Sequence, residues 1–520
     1  MARPGKVFIL LAGSATALVA ALWRFTTSDD AYITYRYARN IARGLGPVYN
    51  AGERVEGCTA FFHMIFLAPF MYAQANPRII SALVSILGIA MIGALGAAWI
   101  ARQRRERPGA WPWFYPAVIG TSPALVYWAA AGLETVWFTA AVFAAVMAAE
   151  REAECKAWPI GSALLVLLAS LIRPDGLVLA GTIGLFWLLV QKERPVAKAA
   201  VFGTIFGTLF GAYFFWRFSY YGYLLPNTYY AKVGRHDAMM TLRGILYVAN
   251  ASIAGVFPAA ALWLLHRARR ARMPLTRFEK LALVVLGGQV FQSAWAGGDF
   301  MPFFRFMLPV WPLSVLLVFS LATRLPDARR RDGRGSAGFW RLAGKRSRAV
   351  KILLAVHLAF LFWNSSGIKA LMSGALSQTW KREAKALAPL VPEDATVAAM
   401  AIGLYGYLVD RPLIDMMGVT DAAIAHTTIA TGRSFPGHEK TQQRVRALAP
   451  ARFHFELREP DDRTAARLLP AHRRLRHHAR QHRDEQKRSI STGLRVRQSS
   501  HRRPLYRRAC APREYRPSGL

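Results

Sequence analysis

The sequence predicts an all-α polytopic membrane protein with about eleven transmembrane helices and a small extracytoplasmic α/β region. Two features of composition and one of arrangement predict this class. Hydrophobic residues make up 53% of the 520 residues, yet the formal net charge is +37. Long apolar runs alternate with short basic segments. Soluble proteins rarely combine these features, whereas a membrane protein does so because Lys and Arg concentrate in its cytoplasmic loops.

The basic composition also suggests nucleic-acid binding, which the arrangement of the charges disfavours. The basic residues lie between apolar runs rather than on one polar domain. We therefore expect membrane lipids as neighbours and no nucleic-acid partner. The three cysteines, Cys58, Cys155 and Cys510, lack the spacing of a metal site and are too few for a disulfide framework.

Eleven segments have the composition of a bilayer-crossing helix, which needs about 20 mostly apolar residues. They lie at 7–25, 78–101, 112–130, 132–150, 157–173, 176–191, 196–217, 243–265, 278–296, 305–324 and 349–367. The first also resembles a signal peptide, but it has no clear A-x-A cleavage site, and we interpret it as a retained helix. A twelfth apolar run, 58–75, is short and contains His63 and Pro69.

The positions of the basic clusters predict the orientation of the chain. If the N-terminus is cytoplasmic and 58–75 does not cross, every strong basic cluster of the membrane region faces the cytoplasm. These clusters lie at 102–107, 150–156, 191–194, 266–273 and 324–350. We therefore predict a juxtamembrane or re-entrant helix at 58–75, and a multi-pass plasma-membrane protein whose C-terminal part is extracytoplasmic.

The predicted outer loops hold the polar chemistry. They lie at 26–57, 130–134, 173–176, 220–237 and 296–305. The first begins with Asp29 and Asp30, and carboxylates beside a membrane helix are functional-site candidates by default. Alternatively, Ser28, Asp29 or Asp30 caps a helix that begins near Ala31. The two carboxylates need not share one role.

A row of arginines follows the two aspartates. Tyr32, Arg36, Arg39 and Arg43 are spaced by four, three and four residues and therefore share one helix face. Because Arg binds phosphate oxygens bidentately, this face suits a phosphate leaving group. Binding of lipid headgroups by an interfacial helix is the alternative. The glycine-rich turn after Arg43 matches neither a P-loop nor a dinucleotide-binding fingerprint.

Four charged residues lie at the predicted outer helix ends, where they would line the same cavity. They are Glu134, Asp175, Asp299 and Arg305. Helix caps and salt bridges within helical hairpins are the alternative roles for these side chains.

Composition divides the chain into a transmembrane domain (1–367, with the loop 26–57), an extracytoplasmic α/β region (368–440) and an Arg-rich tail (441–520). In the second, TVAAMAIG predicts a strand and Asp410 to Pro412 a turn. The tail has 21 Lys or Arg against 7 Asp or Glu. We expect it to be disordered or loosely packed. An arm that binds nucleic acid or another anionic polymer and a frameshifted, non-native C-terminus are the alternatives.

The loop DDAYITYRYARNIARGLGPVYNAGERVEG (29–57) resembles the first extracytoplasmic loop of the terminal β-(1→2)-arabinofuranosyltransferase family. These are membrane glycosyltransferases of the C-type fold that depend on polyprenyl-phosphate sugars. The resemblance covers about residues 1–440, through the motifs GLET (132–135), RPDG (173–176), PNTYYAK (226–232), GGDFMPFFRFMLPVWP (297–312), LIDMMGVTD (413–421) and GHEK (437–440). The family continues into a folded extracytoplasmic domain, where this chain has its Arg-rich tail.

The resemblance implies transfer of arabinofuranose from decaprenyl-phosphoryl-arabinose, or a similar lipid-linked sugar, to a cell-wall polysaccharide acceptor. The acceptor would be the arabinan of arabinogalactan or lipoarabinomannan, extended by terminal β-(1→2) linkages. Asp29 or Asp30 would act as the catalytic base. The residues expected to bind the donor phosphate or substrate are Arg36, Glu53, Glu56, Arg173, Asp175, Asn227, Lys232, Asp299, Arg305 and His438.

Cofactor use and three other functions stay open at this point. The resemblance implies no cofactor beyond the lipid-linked sugar, leaves a divalent metal open, and assigns no metal ligand. The alternative functions are transfer of another sugar, transport of a lipid-linked sugar, and a non-catalytic membrane scaffold or arabinan-binding role. A transporter would favour inverted repeats and broken helices at mid-membrane, and the sequence predicts neither.

Overall fold

The computed structural model describes residues 4–23, 26–103, 114–232, 238–325, 355 and 366–426, and this part of the chain is mostly helical. The helices are α1 (Pro4–Leu22), α2 (Asp29–Ala42), α3 (Phe61–Tyr72), α4 (Pro77–Gln103), α5 (Phe114–Gly120), α6 (Pro123–Ala131), α7 (Thr135–Glu154), α8 (Ile160–Ile172), α9 (Gly176–Leu185), α10 (Pro195–Tyr221), α11 (Asn227–Lys232), α12 (Ala238–Ala254), α13 (Phe257–Arg270), α14 (Arg277–Trp295), α15 (Trp311–Arg324), α16 (Ser366–Leu387), α17 (Ile402–Val409) and α18 (Ala422–Ala425). The strands are β1 (Val397–Ala399) and β2 (Leu413–Asp415).

Several helices have the composition of membrane segments. Among the described residues, α4 and α10 are long and apolar enough to cross a bilayer, and α12 with α13 adds a third if the pair is one bent span. Shorter apolar helices accompany them, including α3, whose 12 residues fall short of the length of a span. These helices indicate a membrane protein. The number of eleven crossings stays a prediction, and the segment 349–367 lies almost entirely outside the described residues.

Two of the predicted spans are interrupted, so the prediction of continuous helices there was wrong. The segment 112–130 contains α5 and α6, which are separate because Pro123 starts a new helix after Ser122. The segment 243–265 contains α12 and α13, which meet at an angle of 87°. Val256 has φ 58° at this bend. Trp311 Nε1 donates to the Gly255 carbonyl (3.1 Å), which supplies a partner at the break.

The packing distinguishes a central helix from a peripheral one. Up to Ala149, helix α7 is apolar around its circumference, and most of its side chains are buried against α4, α8 and neighbouring helices. A helix that is apolar on all sides belongs in a protein core or in a membrane. Helix α10 is also apolar, but only 6% of its most apolar stretch is buried. Its exposed apolar surface suits contact with lipid.

The charged residues collect at two regions of the helical bundle. In one, the Trp99 ring packs 4.4 Å from Phe278, Arg102 pairs with Glu150 (3.4 Å), and Arg324 pairs with Glu279. These contacts join the predicted cytoplasmic ends of α4, α7, α14 and α15. The other region contains the outer-loop residues described below. The orientation of these regions relative to a membrane stays a prediction.

A small α/β unit follows α16. Strands β1 and β2 are parallel, with Val397 opposite Leu413 and Ala399 opposite Asp415. Helix α17 connects them and packs against α2. The predicted strand TVAAMAIG is confirmed only in part, because β1 covers Val397–Ala399 and α17 already begins at Ile402. The predicted turn at 410–412 is also confirmed, because Asp410 has φ 57° and β2 begins directly after Pro412. The predicted tail lies outside the described residues.

Candidate active site

Asp29 and Asp30 occupy the first turn of α2, but they face different partners. Ser28 is at the N-cap position and makes no side-chain cap. The Asp29 carboxylate accepts hydrogen bonds from the backbone N–H groups of Gly403 (3.1 Å) and Leu404 (2.7 Å). It therefore caps α17 rather than its own helix. The Asp30 side chain is 37% exposed, and its Oδ2 lies 4.0 Å from Arg305 Nη1.

The loop before α15 holds Arg305 in place. Arg305 Nε donates to Asp299 Oδ2 (2.7 Å), while Asp299 Oδ1 accepts from the Met301 backbone N–H (3.2 Å). The guanidinium also lies 5.7 Å from the ring centroids of Trp128 and Phe306. These contacts fix one edge of the guanidinium. Within the described part of the chain, its two terminal nitrogens have no hydrogen-bond acceptor, and one of them faces Asp30.

A second ion cluster adjoins this loop. Arg173 donates to Glu134 (3.0 Å) and makes two hydrogen bonds to Asp175 (2.7 and 3.1 Å). Asp175 also accepts from Gln292 Nε2 (3.3 Å). Arg305 interacts electrostatically with Arg173, Glu134, Asp299 and Asp30. The structure thus brings four predicted outer-end residues together with Asp30.

The charge balance of this region is acidic. Four carboxylates, those of Asp30, Glu134, Asp175 and Asp299, share two guanidinium groups. Arg173 donates its hydrogen bonds to the carboxylates of Glu134 and Asp175, so these three side chains hold one another in place. Asp30 and Arg305 differ, because each keeps hydrogen-bonding capacity toward the space between them. That pair provides an acceptor for a proton and N–H donors for an anion in the same place.

The surroundings of Asp29 change its acidity. Burial raises the pKa of Asp29 to about 7 and outweighs the two N–H donors, which lower it. The negative charges of Asp30 and Asp415 raise it further. Asp415 is itself fully buried, and burial raises its pKa to about 6 although it accepts hydrogen bonds from the N–H groups of Met417 (2.8 Å) and Thr420 (2.7 Å).

The arginine row of α2 binds the protein rather than an external phosphate. Arg36 is buried, and its guanidinium donates to the carbonyls of Tyr49 (2.8 Å), Gly406 and Arg411 (2.8 Å) and to Asn50 Oδ1 (3.1 Å). These partners belong to the protein itself, whereas the sequence suggested a phosphate group or a lipid headgroup. Arg39 and Arg43 both pair with Asp410, at 2.6 and 2.9 Å. This face of α2 docks the α/β unit.

The other predicted residues join a separate polar network. Glu56 forms a buried ion pair with Arg217 (2.5 and 2.9 Å). Asn227 donates to the carbonyls of Gly418 (2.8 Å) and Val419 (2.9 Å). The first contact links the loop after α2 to α10, and the second links α11 to the segment after β2. Neither Glu56 nor Asn227 contacts the Asp30–Arg305 pair.

Three further predicted residues lie apart from this pair. Glu53 is exposed and accepts from Asn50 Nδ2 (2.9 Å). Lys232 is exposed at the end of α11 and has no ion-pair partner in the described ranges. His438 lies outside the described residues. The structure therefore brings neither Glu53 nor Lys232 to the Arg305 cluster.

Sequence reasoning missed several polar groups that support the site. Gln289 donates to the Phe306 carbonyl (2.8 Å) and to Gln292, which in turn binds Asp175. Tyr247 OH accepts the Phe306 backbone N–H (3.1 Å). Two glutamines three residues apart on an apolar helix were the available signal, because polar groups inside a membrane protein need partners.

The described residues contain no evident cluster of metal ligands. In these ranges, no three His, Cys, Asp or Glu side chains converge as a set of ligands. Near Arg305, the carboxylates of Glu134, Asp175 and Asp299 accept hydrogen bonds from arginine or amide donors, whereas Asp30 keeps free capacity. We therefore derive no step through a metal.

Comparison with known proteins gives one family match and two relatives. The family model described as "Domain of unknown function (DUF8728)" matches residues 374–481, from within α16 to beyond the described part of the chain. A protein of Corynebacterium glutamicum named terminal beta-(1->2)-arabinofuranosyltransferase is 28% identical over 358 residues, which cover 58% of this chain and 51% of the relative. A protein of the same name from Mycobacterium tuberculosis is 26% identical over 241 residues, covering 43% of this chain and 37% of the relative.

The matched region spans about half the length of the first relative and less of the second. The names of both proteins suggest a glycosyltransferase. A glycosyltransferase requires a sugar donor and an acceptor.

Proposed function

We propose that the protein is a membrane glycosyltransferase that transfers arabinofuranose from decaprenyl-phosphoryl-arabinose to the non-reducing ends of cell-wall arabinan, forming terminal β-(1→2) linkages. The names of the two relatives support the sugar and the linkage. The apolar helices support a donor that resides in the membrane. The observation that carries the proposal is the exposed Asp30 carboxylate 4.0 Å from Arg305.

Asp30 is the general base of the proposed reaction. Its carboxylate removes the proton from the acceptor hydroxyl, whose oxygen then bonds to the anomeric carbon of the donor sugar. The bond from that carbon to the phosphate oxygen breaks, and polyprenyl phosphate leaves with the electron pair. General-base catalysis of this kind contributes about 10²–10⁴-fold to the rate.

Arg305 stabilises the leaving phosphate. One terminal nitrogen, Nη1, faces Asp30, so its N–H groups reach the space where the sugar and phosphate would lie next to the base. Asp299 holds the opposite edge through Nε and so orients the donor groups. Preorganised N–H donors are effective because they need no rearrangement when charge develops on the leaving group. Arg173, Glu134 and Asp175 form a rigid wall behind this pair.

Transport of a lipid-linked sugar is the second candidate, because the break between α12 and α13 is a feature that transporters use. In transporters, the ends of broken helices bind the polar substrate. The crevice at this break is instead lined only by apolar residues: Ala251, Pro258, Phe303, Phe304, Met307, Leu308, Val310 and Trp311. The position of the charged groups therefore favours the transferase.

The test is a transfer reaction with the purified full chain, radiolabelled decaprenyl-phosphoryl-arabinose and a synthetic arabinan acceptor. We expect labelled product with a terminal β-(1→2) linkage, and a kcat about 10²–10⁴-fold lower in Asp30→Asn. Glu393→Gln, which neutralises an exposed carboxylate outside the predicted binding residues, serves as the control and keeps wild-type kcat. An Asp30→Asn variant with full activity refutes the role of Asp30. Movement of the donor across vesicles without product favours the transporter. A product that carries another sugar supports a membrane glycosyltransferase but refutes the assignment of arabinofuranose.

We also propose that the Asp30–Arg305 region faces the outside of the plasma membrane and that the N-terminus is cytoplasmic. In a Cys155→Ser/Cys510→Ser background, Leu45→Cys tests the outer side, since Leu45 is 46% exposed in the loop after α2. Arg102→Cys tests the basic end of α4. An impermeant maleimide should label the first variant in intact cells and the second only after permeabilisation. The reverse pattern contradicts this orientation.

A further inference from the structure

We propose that Asp29 is a positioning residue: by capping α17, it fixes the first turn of α2 so that the Asp30 carboxylate faces Arg305. The proposal rests on the proposed role of Asp30 as the base. It assigns different work to two adjacent carboxylates, one that reacts and one that holds the reacting group in place. It also makes the α/β unit part of the reactive site.

The cap is bidentate. Each oxygen of the Asp29 carboxylate accepts one backbone N–H from the start of α17, at 3.1 Å from Gly403 and 2.7 Å from Leu404. These N–H groups belong to the first turn of a helix, where no intrahelical carbonyl is available to them. The positive end of the helix dipole further favours an anion at this position. Two directed bonds fix both the position and the rotation of the Asp29 side chain.

The two backbones also touch at this point. A Cβ added to Gly403 would lie 1.8 Å from the Asp29 carbonyl oxygen, closer than any real contact. Glycine is therefore required for α17 to approach the first residue of α2 so closely. A displacement of α17 would move Asp29 directly, and Asp30 is its neighbour in the same turn.

Other contacts keep α17 docked without the cap. Arg36 donates to the Gly406 carbonyl, and Tyr49 OH donates to the Ile402 carbonyl (2.6 Å). A variant of Asp29 should therefore fold with the unit in place, while the first turn of α2 gains freedom. A misplacement of about 1 Å at a reacting group costs on the order of 10²-fold in rate.

Kinetics provide the first test. In Asp29→Asn, a single amide oxygen replaces two carboxylate oxygens, so we expect kcat to fall about 10–100-fold while KM for donor and acceptor stays within about twofold. Asp29→Ala removes the cap entirely and should lower kcat further. Asp421→Asn is the matched control, because Asp421 caps α18 through the Ile424 N–H (3.0 Å) in the same unit. We expect wild-type kcat for this control.

Hydrogen exchange provides a test that needs no activity. Asp29→Asn should speed exchange of the Gly403 and Leu404 amides by about 10-fold or more, and leave the amides of α18 unchanged. Unchanged exchange at Gly403 and Leu404 overturns the cap. Faster exchange with wild-type kcat, or a loss that appears in KM alone, overturns the positioning role and leaves that of Asp30 intact. A wild-type chain that transfers no sugar refutes the proposed function, while the exchange experiment still decides the cap.

Discussion

Replacement of Arg305 by Gln should remove the stabilisation of the leaving phosphate. It also leaves the buried Asp299 carboxylate without its counter-ion, so the loss of kcat is compared with the loss of thermal stability. Two independent magnitudes agree on the size of the effect. Loss of one preorganised donor to a developing oxyanion costs about 2.7–4 kcal/mol. The Coulomb energy between unit charges about 4 Å apart, at an effective dielectric constant of about 20, is about 4 kcal/mol. Both correspond to a decrease in kcat of about 10²–10³-fold.

The hydrogen bond between Arg305 and Asp299 provides two graded variants. Arg305→Lys keeps the charge but cannot bind Asp299 through one edge and phosphate through the other, so we expect a loss of about 10-fold. Asp299→Asn keeps the guanidinium and weakens its anchor at 2.7 Å, with a loss of similar size. Because Asp299 acts through Arg305, the double variant Arg305→Gln/Asp299→Asn should be no slower than Arg305→Gln alone.

The assay is the transfer reaction at saturating donor and acceptor, with thermal unfolding of each variant measured in the same detergent. Arg151→Gln is the control for loss of a positive charge, because Arg151 is exposed and pairs only with Glu154 (2.8 Å) within the described ranges. A wild-type kcat in Arg305→Gln, or an effect confined to KM, refutes transition-state stabilisation by Arg305. Additive losses in the double variant refute the dependence of Asp299 on Arg305.

Three further predictions concern the polar contacts of α2 and its loop. Glu56→Gln leaves the buried guanidinium of Arg217 without its counter-ion. The free energy of unfolding should therefore fall by about 3 kcal/mol, and the protein should unfold at a temperature several degrees lower. Glu53→Gln, at an exposed position, should change neither quantity. A lysine at position 36 cannot donate to all four acceptors of Arg36, so the amides of α17 should exchange faster in hydrogen-exchange mass spectrometry of Arg36→Lys. Unchanged exchange contradicts a role of Arg36 in docking the α/β unit. Because Asp29 is ionised above its pKa of about 7 and the anion is the stronger cap, kcat should rise between pH 6 and pH 8, and this rise should be absent in Asp29→Asn.

The charge row on α2 shows where sequence reasoning succeeded and where it stopped. The spacing of Arg36, Arg39 and Arg43 correctly predicts one helix face, because helical periodicity is local. Arg36 also donates to nearby Tyr49 and Asn50, but the partners of all three arginines in the α/β unit lie at 406–411, about 370 residues away along the chain. No local pattern specifies such a partner, so binding of phosphate or lipid was as plausible from sequence as docking of the α/β unit.

The breaks within two predicted helices also could not be predicted from the local sequence. Hydropathy averaged over about 20 residues recognises an apolar segment but not a bend within it. At 255–256, the bend depends on the positive φ of Val256 and on the indole of Trp311, which donates to Gly255. The first is a backbone conformation that a valine rarely adopts, and the second comes from a distant helix. The grouping of Glu134, Asp175, Asp299 and Arg305 was predictable because all four lie at helix ends assigned to one side.

The distribution of contacts also explains why a reactive carboxylate would occur as one of a pair. Asp30 needs an open side toward substrate, and an open side chain on the first turn of a helix has few contacts to hold it. Asp29 supplies those contacts one residue away, through two N–H groups of α17 and a direct backbone approach at Gly403. The surroundings of the capping carboxylate oppose its charged form, because desolvation raises the pKa of Asp29 to about 7. This opposition is consistent with a first turn whose exact position matters to the neighbouring residue.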